Sequence, residues 1–220
     1  PLLLCADVEE GVGQRFEGAS WLVPPLALGR LHGREPKRAE ALARRYGHCT
    51  GRQARLLGLN WVLAPVCDVN NNPAKHFPGH GDTSSDSHLE LPLLLHARQR
   101  LDAVELPPFQ QAIAADVASV MTAHLQLPAL DAERPATLSA AVLSRLLRDE
   151  LGFGGLVVTD ALVMEAIAGR HGAAEAAVLA FEAGADLILM PADATAALDG
   201  LEAAVHSGRI RPERLHASLN

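Results

Sequence analysis

The feature that most constrains the fold is a repeated unit, in which a short apolar run ends in a polar residue or proline and a helical stretch follows. The runs are rich in Val and Leu and almost unbroken in apolarity, as expected of parallel strands buried on both faces. In chain order they are LLLCAD, NWVLAPVCD, SVMTAH, GGLVVTD and ADLILMP, which end at Asp7, Asp68, His124, Asp160 and Pro191. Strands that alternate with helices predict an α/β fold, and polar strand ends favour a (β/α)8 TIM-type barrel, whose active site collects there.

Helical spacing predicts three of the intervening helices. EPKRAEALARRYG is expected to stop at Gly47. SAAVLSRLLRDELGFGG is expected to begin at a Ser139 cap and stop at Gly152, and GAAEAAVLAFEAGA to stop near Gly184. A doubly wound open sheet is the alternative architecture, but the sequence has no GxGxxG or GxxxxGK[ST] motif for a nucleotide.

The repeat is interrupted between Ala74 and Lys75. The strand that ends at Asp68 is followed by VNNNPA and then at once by KHFPGHGD, which has the composition of another strand-end loop. Parallel neighbours need a crossover of about a dozen residues or more, and about five strands can be counted where a barrel needs eight. We therefore predict a single catalytic domain over residues 1–220, an incomplete barrel with a strand–helix segment absent near Ala74–Lys75 and trimmed ends.

Composition limits the partners that can be expected. Apolar residues make up 49% of the chain, enough for a sizeable core, and the net charge of −7 gives no sign of a nucleic-acid groove. No apolar run has the length of a membrane helix, and no leader is visible. Cys5, Cys49 and Cys67 show no CxxC pairing, which favours reduced thiols. These observations predict a cytoplasmic protein with neither a nucleic-acid nor a membrane partner.

Asp160 follows the apolar strand GGLVVTD, where a carboxylate is costly unless it is solvated or hydrogen-bonded. It could be only the N-cap of a helix in ALVMEAI. It could instead be a catalytic carboxylate at the barrel mouth, and backbone N–H groups at a helix start would then also lower its pKa.

The segment KHFPGHGDTSSDSH, from Lys75 to His88, gathers side chains that bind or transfer protons. Asp86 and His88 are two residues apart, so in an extended loop the carboxylate can hydrogen-bond the imidazole and fix its tautomer. The alternatives are a metal site, although the spacing matches no compact metal motif, and a merely polar loop. The other candidates in this segment are His76, His80 and Asp82.

Further polar residues follow other predicted strands. Lys75 could form a Schiff base, as in class I aldolases, or donate hydrogen bonds to a sugar. Asp7 and Arg15 suit a polyhydroxylated ligand, or form only a loop salt bridge. His124 either lines the same mouth or makes a plain structural hydrogen bond.

The motifs together resemble those of bacterial family 3 glycoside hydrolases of the β-N-acetylglucosaminidase type. The resemblance rests on KHFPGHGDTSSDSH and on CADVEEGVGQRF, NWVLAPVCDVNNNPA, MTAHLQLPALD, PATLS, GFGGLVVTDALVM and GAAEAAVLAFEAGADLILMP, in family order over nearly the whole chain. It implies a (β/α)8 barrel and a retaining mechanism without metal or cofactor. By motif, Asp160 corresponds to the nucleophile and His88 to the general acid/base, with Asp86 orienting it.

The resemblance also implies a substrate and a process. Asp7, Arg15, Lys75 and His76 correspond to groups that hold the N-acetylglucosamine ring, and the family's segment before KHFPGHG carries a further substrate-binding arginine that is lacking here. The expected activity is exo-hydrolysis of terminal β-linked N-acetylglucosamine from peptidoglycan fragments in cell-wall recycling. A phosphorylase or β-glucosidase in the same site, a Schiff-base aldolase using Lys75, and a non-catalytic sugar-binding barrel are the alternatives.

Overall fold

The structure is a computed structural model that describes residues 2–66, 76–79 and 89–219. The chain divides into two compact units, Pro1–Val66 and Cys67–Asn220. Within the described residues, no helix combines the length and the apolar character that crossing a membrane requires.

The first unit is built on two parallel strands joined through two helices. β1 (Cys5–Asp7) and β2 (Trp61–Leu63) pair side by side, and α1 (Pro25–His32) and α2 (Pro36–Leu56) come between them in the chain. The register pairs Cys5 with Trp61, Ala6 with Val62 and Asp7 with Leu63. Because parallel strands end at the same edge of a sheet, Asp7 lies at the carboxyl edge, as the repeat predicted.

α2 is longer than the sequence predicted, because the helix does not stop at Gly47 and continues to Leu56. A glycine inside a helix costs about 1 kcal/mol relative to alanine. α2 accommodates this cost because its inner face is held by packing, with Ala39, Thr50 and Ala54 buried. Glycine was therefore a poor stop signal where tertiary contacts continue on both sides of it.

The second unit contains a run of parallel strand segments. β3 (Ser119–Met121) pairs with β4 (Leu156–Val158), with Val120 opposite Val157. Single parallel bridges extend the sheet on both sides, from Phe77 to Thr122 and from Val158 to Leu187. The predicted strands SVMTAH, GGLVVTD and ADLILMP thus lie side by side in the sheet, in the same order as in the chain, as in TIM-type α/β folds.

Helices flank these strands in the second unit. They are α3 (Arg98–Arg100), a π-helical turn (Leu101–Glu105), α4 (Leu106–Ala114), a π-helix (Ala141–Glu150), α5 (Glu165–Ala168), α6 (Ala173–Ala183), α7 (Ala194–His206) and α8 (Pro212–Leu219). The main core packs the inner faces of the helices against the sheet and is rich in leucine, including Leu125, Leu143 and Leu147.

Two predicted helix ends in this unit are confirmed. α6 ends at Ala183, and Gly184 adopts φ 127°, a conformation that favours glycine. At the predicted start of the helix in SAAVLSRLLRDELGFGG, the Ser139 hydroxyl accepts a hydrogen bond from the Val142 N–H at 3.3 Å. The stretch that follows has π-helical hydrogen bonding over Ala141–Glu150, which helical spacing alone does not reveal.

Candidate active site

Asp160 lies at the carboxyl edge of the sheet in the second unit, directly after β4 and Thr159. Thr159 is fully buried, and its hydroxyl accepts a hydrogen bond from the Leu189 N–H at 2.9 Å. The backbone N–H of Thr159 donates to the Leu187 carbonyl at 3.0 Å. Hydrogen bonds through both the side chain and the backbone of Thr159 therefore fix the chain immediately before the Asp160 carboxylate.

The Asp160 carboxylate has a different contact at each oxygen. Oδ1 accepts a hydrogen bond from the Ala161 N–H at 2.8 Å, and Oδ2 lies 3.2 Å from Nε2 of His76. The side chains of Asp160 and His76 are 17% and 12% exposed. A carboxylate that is ordered, half-buried and still reachable from solvent has the properties needed to attack or to stabilise a positive centre.

Asp160 is not the N-cap of a helix over ALVMEAI. The next helix, α5, begins at Glu165, and its N-cap position is Met164. The N–H that Asp160 binds belongs to the adjacent residue rather than to the second or third residue of a helix, as a capping bond would require.

His76 is positioned by the strand segment that it precedes. Phe77 is fully buried, its N–H donates to the Met121 carbonyl, and its own carbonyl accepts from the Ala123 N–H, both at 2.8 Å. This pairing with β3 brings His76 to the same sheet edge as Asp160. The family resemblance implied that His76 helps to hold the sugar, and it did not predict the contact with Asp160.

His124 follows β3 and is fully buried. Its Nε2 lies 3.0 Å from the Ala161 carbonyl oxygen, and its Nδ1 lies 2.8 Å from the Thr137 hydroxyl. A carbonyl oxygen only accepts, so Nε2 carries a proton and donates it to the residue next to Asp160. Of the two alternatives from the sequence, these contacts match a structural hydrogen bond, made beside the candidate nucleophile.

Buried threonines support His124, and the sequence pattern did not indicate them. The Thr137 hydroxyl lies 2.8 Å from the Thr122 hydroxyl. It donates a hydrogen bond to the Ala123 carbonyl, also at 2.8 Å. Both threonines are fully buried. A hydroxyl in an otherwise apolar strand, as in SVMTAH, is the signal that could have identified such a network.

Asp131 holds the loop that carries Thr137. Its carboxylate accepts hydrogen bonds from the Ser139 hydroxyl at 2.6 Å and from the N–H groups of Glu133 and Arg134 at 2.9 and 3.1 Å. Burial raises the pKa of the Asp131 carboxyl, but the hydrogen bonds from Ser139, Glu133 and Arg134 outweigh it, so the pKa lies below its usual value.

Asp7 and Arg15 belong to the first unit, where they contact each other through the backbone. Nε of Arg15 donates to the main-chain carbonyl of Asp7 at 3.1 Å. The intervening loop folds back tightly at Gly13, because a Cβ there would lie 2.3 Å from the backbone nitrogen of Trp21. The contact orients the Arg15 guanidinium next to the carboxyl end of β1, in agreement with a ligand-facing role or with a loop brace.

Three candidates from the sequence, Lys75, Asp86 and His88, lie outside the described residues, as do His80 and Asp82. Cys5 and Cys49 are free thiols, and Cys67 also lies outside that part of the chain. In the described ranges, no group of three or more His, Cys, Asp or Glu side chains could hold a metal ion.

Comparison with known proteins places the chain in a family. The model of the "Glycosyl hydrolase family 3 N terminal domain" matches residues 1–74 and 72–220. Beta-hexosaminidase A of Pseudoalteromonas piscicida is 33% identical over 241 residues, covering 87% of this chain and 40% of the relative. Beta-hexosaminidase of Alkalilimnicola ehrlichii is 33% identical over 226 residues, covering 86% of this chain and 65% of the relative. The chain thus spans less than two thirds of either relative.

Solved structures give the same assignment. A glycoside hydrolase family 3 beta-N-acetylglucosaminidase from Paenibacillus sp. str. FPU-7 superimposes with a TM-score of 0.91 at 43% identity, over 100% of this chain and 48% of that one. The beta-N-acetylglucosaminidase from Thermotoga maritima has a TM-score of 0.85 at 25% identity, over 98% of this chain and 53% of that one. From its sequence match and its fold, the chain belongs to glycosyl hydrolase family 3.

Proposed function

We propose that this protein is a retaining exo-β-N-acetylglucosaminidase that removes terminal β-linked N-acetylglucosamine through a covalent intermediate on Asp160. The observation that carries the proposal is the Asp160 carboxylate at the sheet edge, held by the Ala161 N–H and facing His76. The names of the related beta-hexosaminidases and of the Paenibacillus beta-N-acetylglucosaminidase support the substrate class.

The first step of the proposed reaction joins the sugar to the enzyme. A carboxylate oxygen of Asp160 attacks the anomeric carbon while His88 donates a proton to the glycosidic oxygen, so that the aglycone leaves as a neutral alcohol. In the second step His88 removes a proton from water, and the resulting attack at the same carbon releases the sugar and restores Asp160. Two inversions at one carbon retain its configuration.

In this mechanism His76 helps to position the nucleophile. Nε2 of His76 lies 3.2 Å from Oδ2, and an imidazole packed this close restricts the rotation of the carboxylate before substrate binds. Asp7, Arg15 and Lys75 are proposed to hold the hydroxyl and acetamido groups of the ring, and Asp86 to orient His88.

The proposal is tested by turnover of 4-nitrophenyl N-acetyl-β-glucosaminide and by labelling with an activated 2-fluoro sugar. We expect the label on Asp160, found by peptide mass spectrometry, together with release of the β-anomer as the first product. A label on another residue, or release of the α-anomer, would rule out the assigned nucleophile or the retaining mechanism.

Phosphate instead of water as the acceptor is the second candidate. A neutral imidazole does not repel an anionic acceptor, whereas a carboxylate acid/base would. Phosphate that accelerates turnover and yields sugar 1-phosphate would establish a phosphorylase. Turnover that is independent of phosphate keeps the hydrolase assignment, and turnover of the glucoside above the N-acetylglucosaminide would point to a β-glucosidase.

We infer further that the barrel lacks a strand–helix segment near Ala74–Lys75. The family model matches in two pieces that meet at residues 72–74, and the 241-residue alignment with the Pseudoalteromonas relative uses only 87% of this 220-residue chain. A crossover between parallel strands needs about a dozen residues or more, which fits an omission of this kind.

If a folded protein binds N-acetylglucosamine without turnover, a non-catalytic sugar-binding barrel replaces the enzyme assignment. Peptidoglycan fragments as substrate and a cytoplasmic location complete the proposal.

A further inference from the structure

The charge of the chain is unevenly distributed, and the helices of the first unit carry the basic excess. Residues 25–56, which span α1 and α2, contain eight Lys and Arg and two Asp and Glu, whereas the whole chain contains 19 and 26. This region is therefore positive in a protein whose net charge is −7. An acidic protein presents one strongly basic surface.

Six basic side chains of α2 lie on the same side of the helix, and we refer to them as the basic face. All are exposed; they are Lys37, Arg38, Arg44, Arg45, Arg52 and Arg55. At 3.6 residues per turn they fall within an arc of about 120° that extends about 27 Å along the helix. In α2, which the structure describes in full, Glu40 is the only acidic residue and lies outside this arc. The opposite side packs inward through Ala39, Thr50 and Ala54.

The basic face has few partners within the protein. Arg38 pairs with Glu35 at 3.1 Å, and among the described residues none of the other five has a carboxylate within 4.0 Å. A solvated helix surface usually mixes both signs of charge, because opposite charges three or four residues apart stabilise it. The basic face lacks that compensation.

Helix stability does not explain the pattern either. α2 has no acidic residue in its first turn, where Lys37 and Arg38 oppose the helix dipole. Arg52 and Arg55, three residues apart, repel each other. Arg55 lies in the last turn, where the helix dipole favours a cation, but the first turn gains nothing from its basic residues, and the pattern as a whole suits an anion supplied from outside.

The shape and the neighbours of the basic face distinguish between possible anions. It is a convex helix surface and its arc contains no Phe, Tyr or Trp side chain, so it lacks the groove and the large stacking rings of a nucleic-acid site. At its end are two exposed leucines, Leu56 at 77% and Leu57 at 49%. Basic side chains beside exposed apolar ones are typical of helices that lie on the headgroups of an anionic bilayer.

We propose that the basic face of α2 docks this protein peripherally onto an anionic phospholipid surface. The attraction is electrostatic, from the six cations to the headgroups, and Leu56 adds a small apolar contact at the acyl boundary. This contact needs no membrane-spanning segment. It differs from the prediction, made from the composition of the whole chain, that the protein has no membrane partner. It is independent of the reaction proposed for Asp160.

The test is co-sedimentation of the full chain with vesicles of phosphatidylglycerol and phosphatidylcholine, compared with vesicles of phosphatidylcholine alone. We expect binding to the anionic vesicles at about 0.05 M salt and release at about 0.5 M. Replacement of Arg44, Arg45 and Arg52 by glutamine should lower the partition coefficient about a hundredfold, since each cation contributes about 1 kcal/mol, and the triple variant Arg44→Glu, Arg45→Glu, Arg52→Glu should lower it about a thousandfold or more.

The control variant carries the same change of charge elsewhere. Arg145, Arg170 and Arg211 are exposed and have no ion pair in the described part of the chain. Their triple replacement by glutamate changes the net charge equally but leaves every cation of the basic face in place, so it should alter the partition coefficient less than about threefold. Circular dichroism and thermal unfolding verify that all variants are folded.

Three results would overturn the proposal. They are absence of binding to anionic vesicles, equal binding to neutral vesicles, and equal losses in the basic-face and control variants. Tight binding of a duplex or single-stranded oligonucleotide at a salt concentration where vesicles do not bind would identify a nucleic acid as the partner and would also overturn it.

Discussion

Two aspartates lie near opposite edges of the sheet in the second unit, and their surroundings differ. Asp160 follows β4 at the carboxyl edge, is 17% exposed, and has one N–H and one imidazole as neighbours. Asp186 precedes Leu187 at the amino edge, and its side chain is 3% exposed. It accepts hydrogen bonds from the Val157 N–H at 2.8 Å and the Ser218 hydroxyl at 2.7 Å, and it pairs with two arginines.

The difference separates a group that is available from one that is saturated. The oxygens of Asp186 are occupied by donors from fixed elements, and a carboxylate in that state has no capacity left for a ligand. Among the described residues, Asp160 accepts a hydrogen bond only from the Ala161 N–H, and it faces the edge where active sites of TIM-type folds collect. The sheet thus has an accessible carboxylate near one edge and a saturated one near the other.

The largest effect is expected from Asp160→Asn. Removing the nucleophile should lower kcat at least about a thousandfold, because the amide oxygen cannot form the glycosyl-enzyme. The midpoint of thermal unfolding should change little, since the contact with the Ala161 N–H needs only an oxygen. Steady-state kinetics and calorimetry measure the two quantities. An unchanged kcat would show that Asp160 is not the nucleophile and that it does not differ from Asp186 in function.

Asp186→Asn should reverse this pattern. Two partly buried guanidinium groups, those of Arg148 and Arg214, would lose their counter-charge, and we expect the free energy of unfolding to fall by about 3 kcal/mol. Urea titration measures the loss. Glu175→Gln, which disturbs an exposed pair with Arg209, is the control and should cost less than about 1 kcal/mol. A loss no greater than the control's would show that Asp186 is not the structural anchor.

A matched pair of substitutions at His124 examines how Asp160 is positioned. Glutamine can place an N–H where Nε2 lies and keep the bond to the Ala161 carbonyl, whereas asparagine reaches only the position of Nδ1 and the Thr137 hydroxyl. We expect His124→Asn to lower kcat about tenfold to a hundredfold with little change in KM, and His124→Gln to retain most of it.

Amide exchange at Ala161, measured by mass spectrometry or NMR, gives a readout for His124 that does not depend on turnover. Exchange should accelerate in His124→Asn and stay near the wild-type rate in His124→Gln. Equal behaviour of the two variants in both kcat and exchange would show that the bond to Ala161 does not position the nucleophile.

The smallest effect is the pH dependence contributed by Asp131. Its pKa is lower in the folded protein than the ordinary value of 3.8, so its contribution is complete above the unfolded pKa and is lost as pH falls through the folded one. The free energy of unfolding should be about 1 kcal/mol greater for the wild type than for Asp131→Asn at neutral pH. This difference should shrink below about pH 4. Chemical denaturation at several pH values measures it. A difference that persists at low pH would mean that the charge is irrelevant.

The sequence predicted the strand ends well because two physical signals coincide there. A run such as GGLVVTD is apolar enough to need burial on both faces, and the first polar residue after it must return to solvent or to a partner. This placed Asp7, Asp160 and His124 at strand ends correctly. Helix limits were less predictable, as α2 shows, because packing against Ala39 and Ala54 overrides the local preference of Gly47.

Contacts within the site were harder to predict, since they join residues far apart in the chain. His76 and Asp160 are 84 positions apart by residue number and meet across β3, the one strand that lies between their segments. The local pattern around KHFPGHG indicates polar chemistry but not which carboxylate it faces. The same limitation hid Thr137, whose role emerges only when the loop after Asp131 returns to His124.

The Asp186 cluster also determines how the second unit comes apart. Its donors arise from the π-helix at Arg148, from β4, and from α8 through Arg214 and Ser218, so the last helix and the centre of the sheet share one carboxylate. Fraying of α8 would leave a buried charge short of partners, which couples local opening to global loss of structure. We therefore expect α8 to melt together with the sheet in a single cooperative transition.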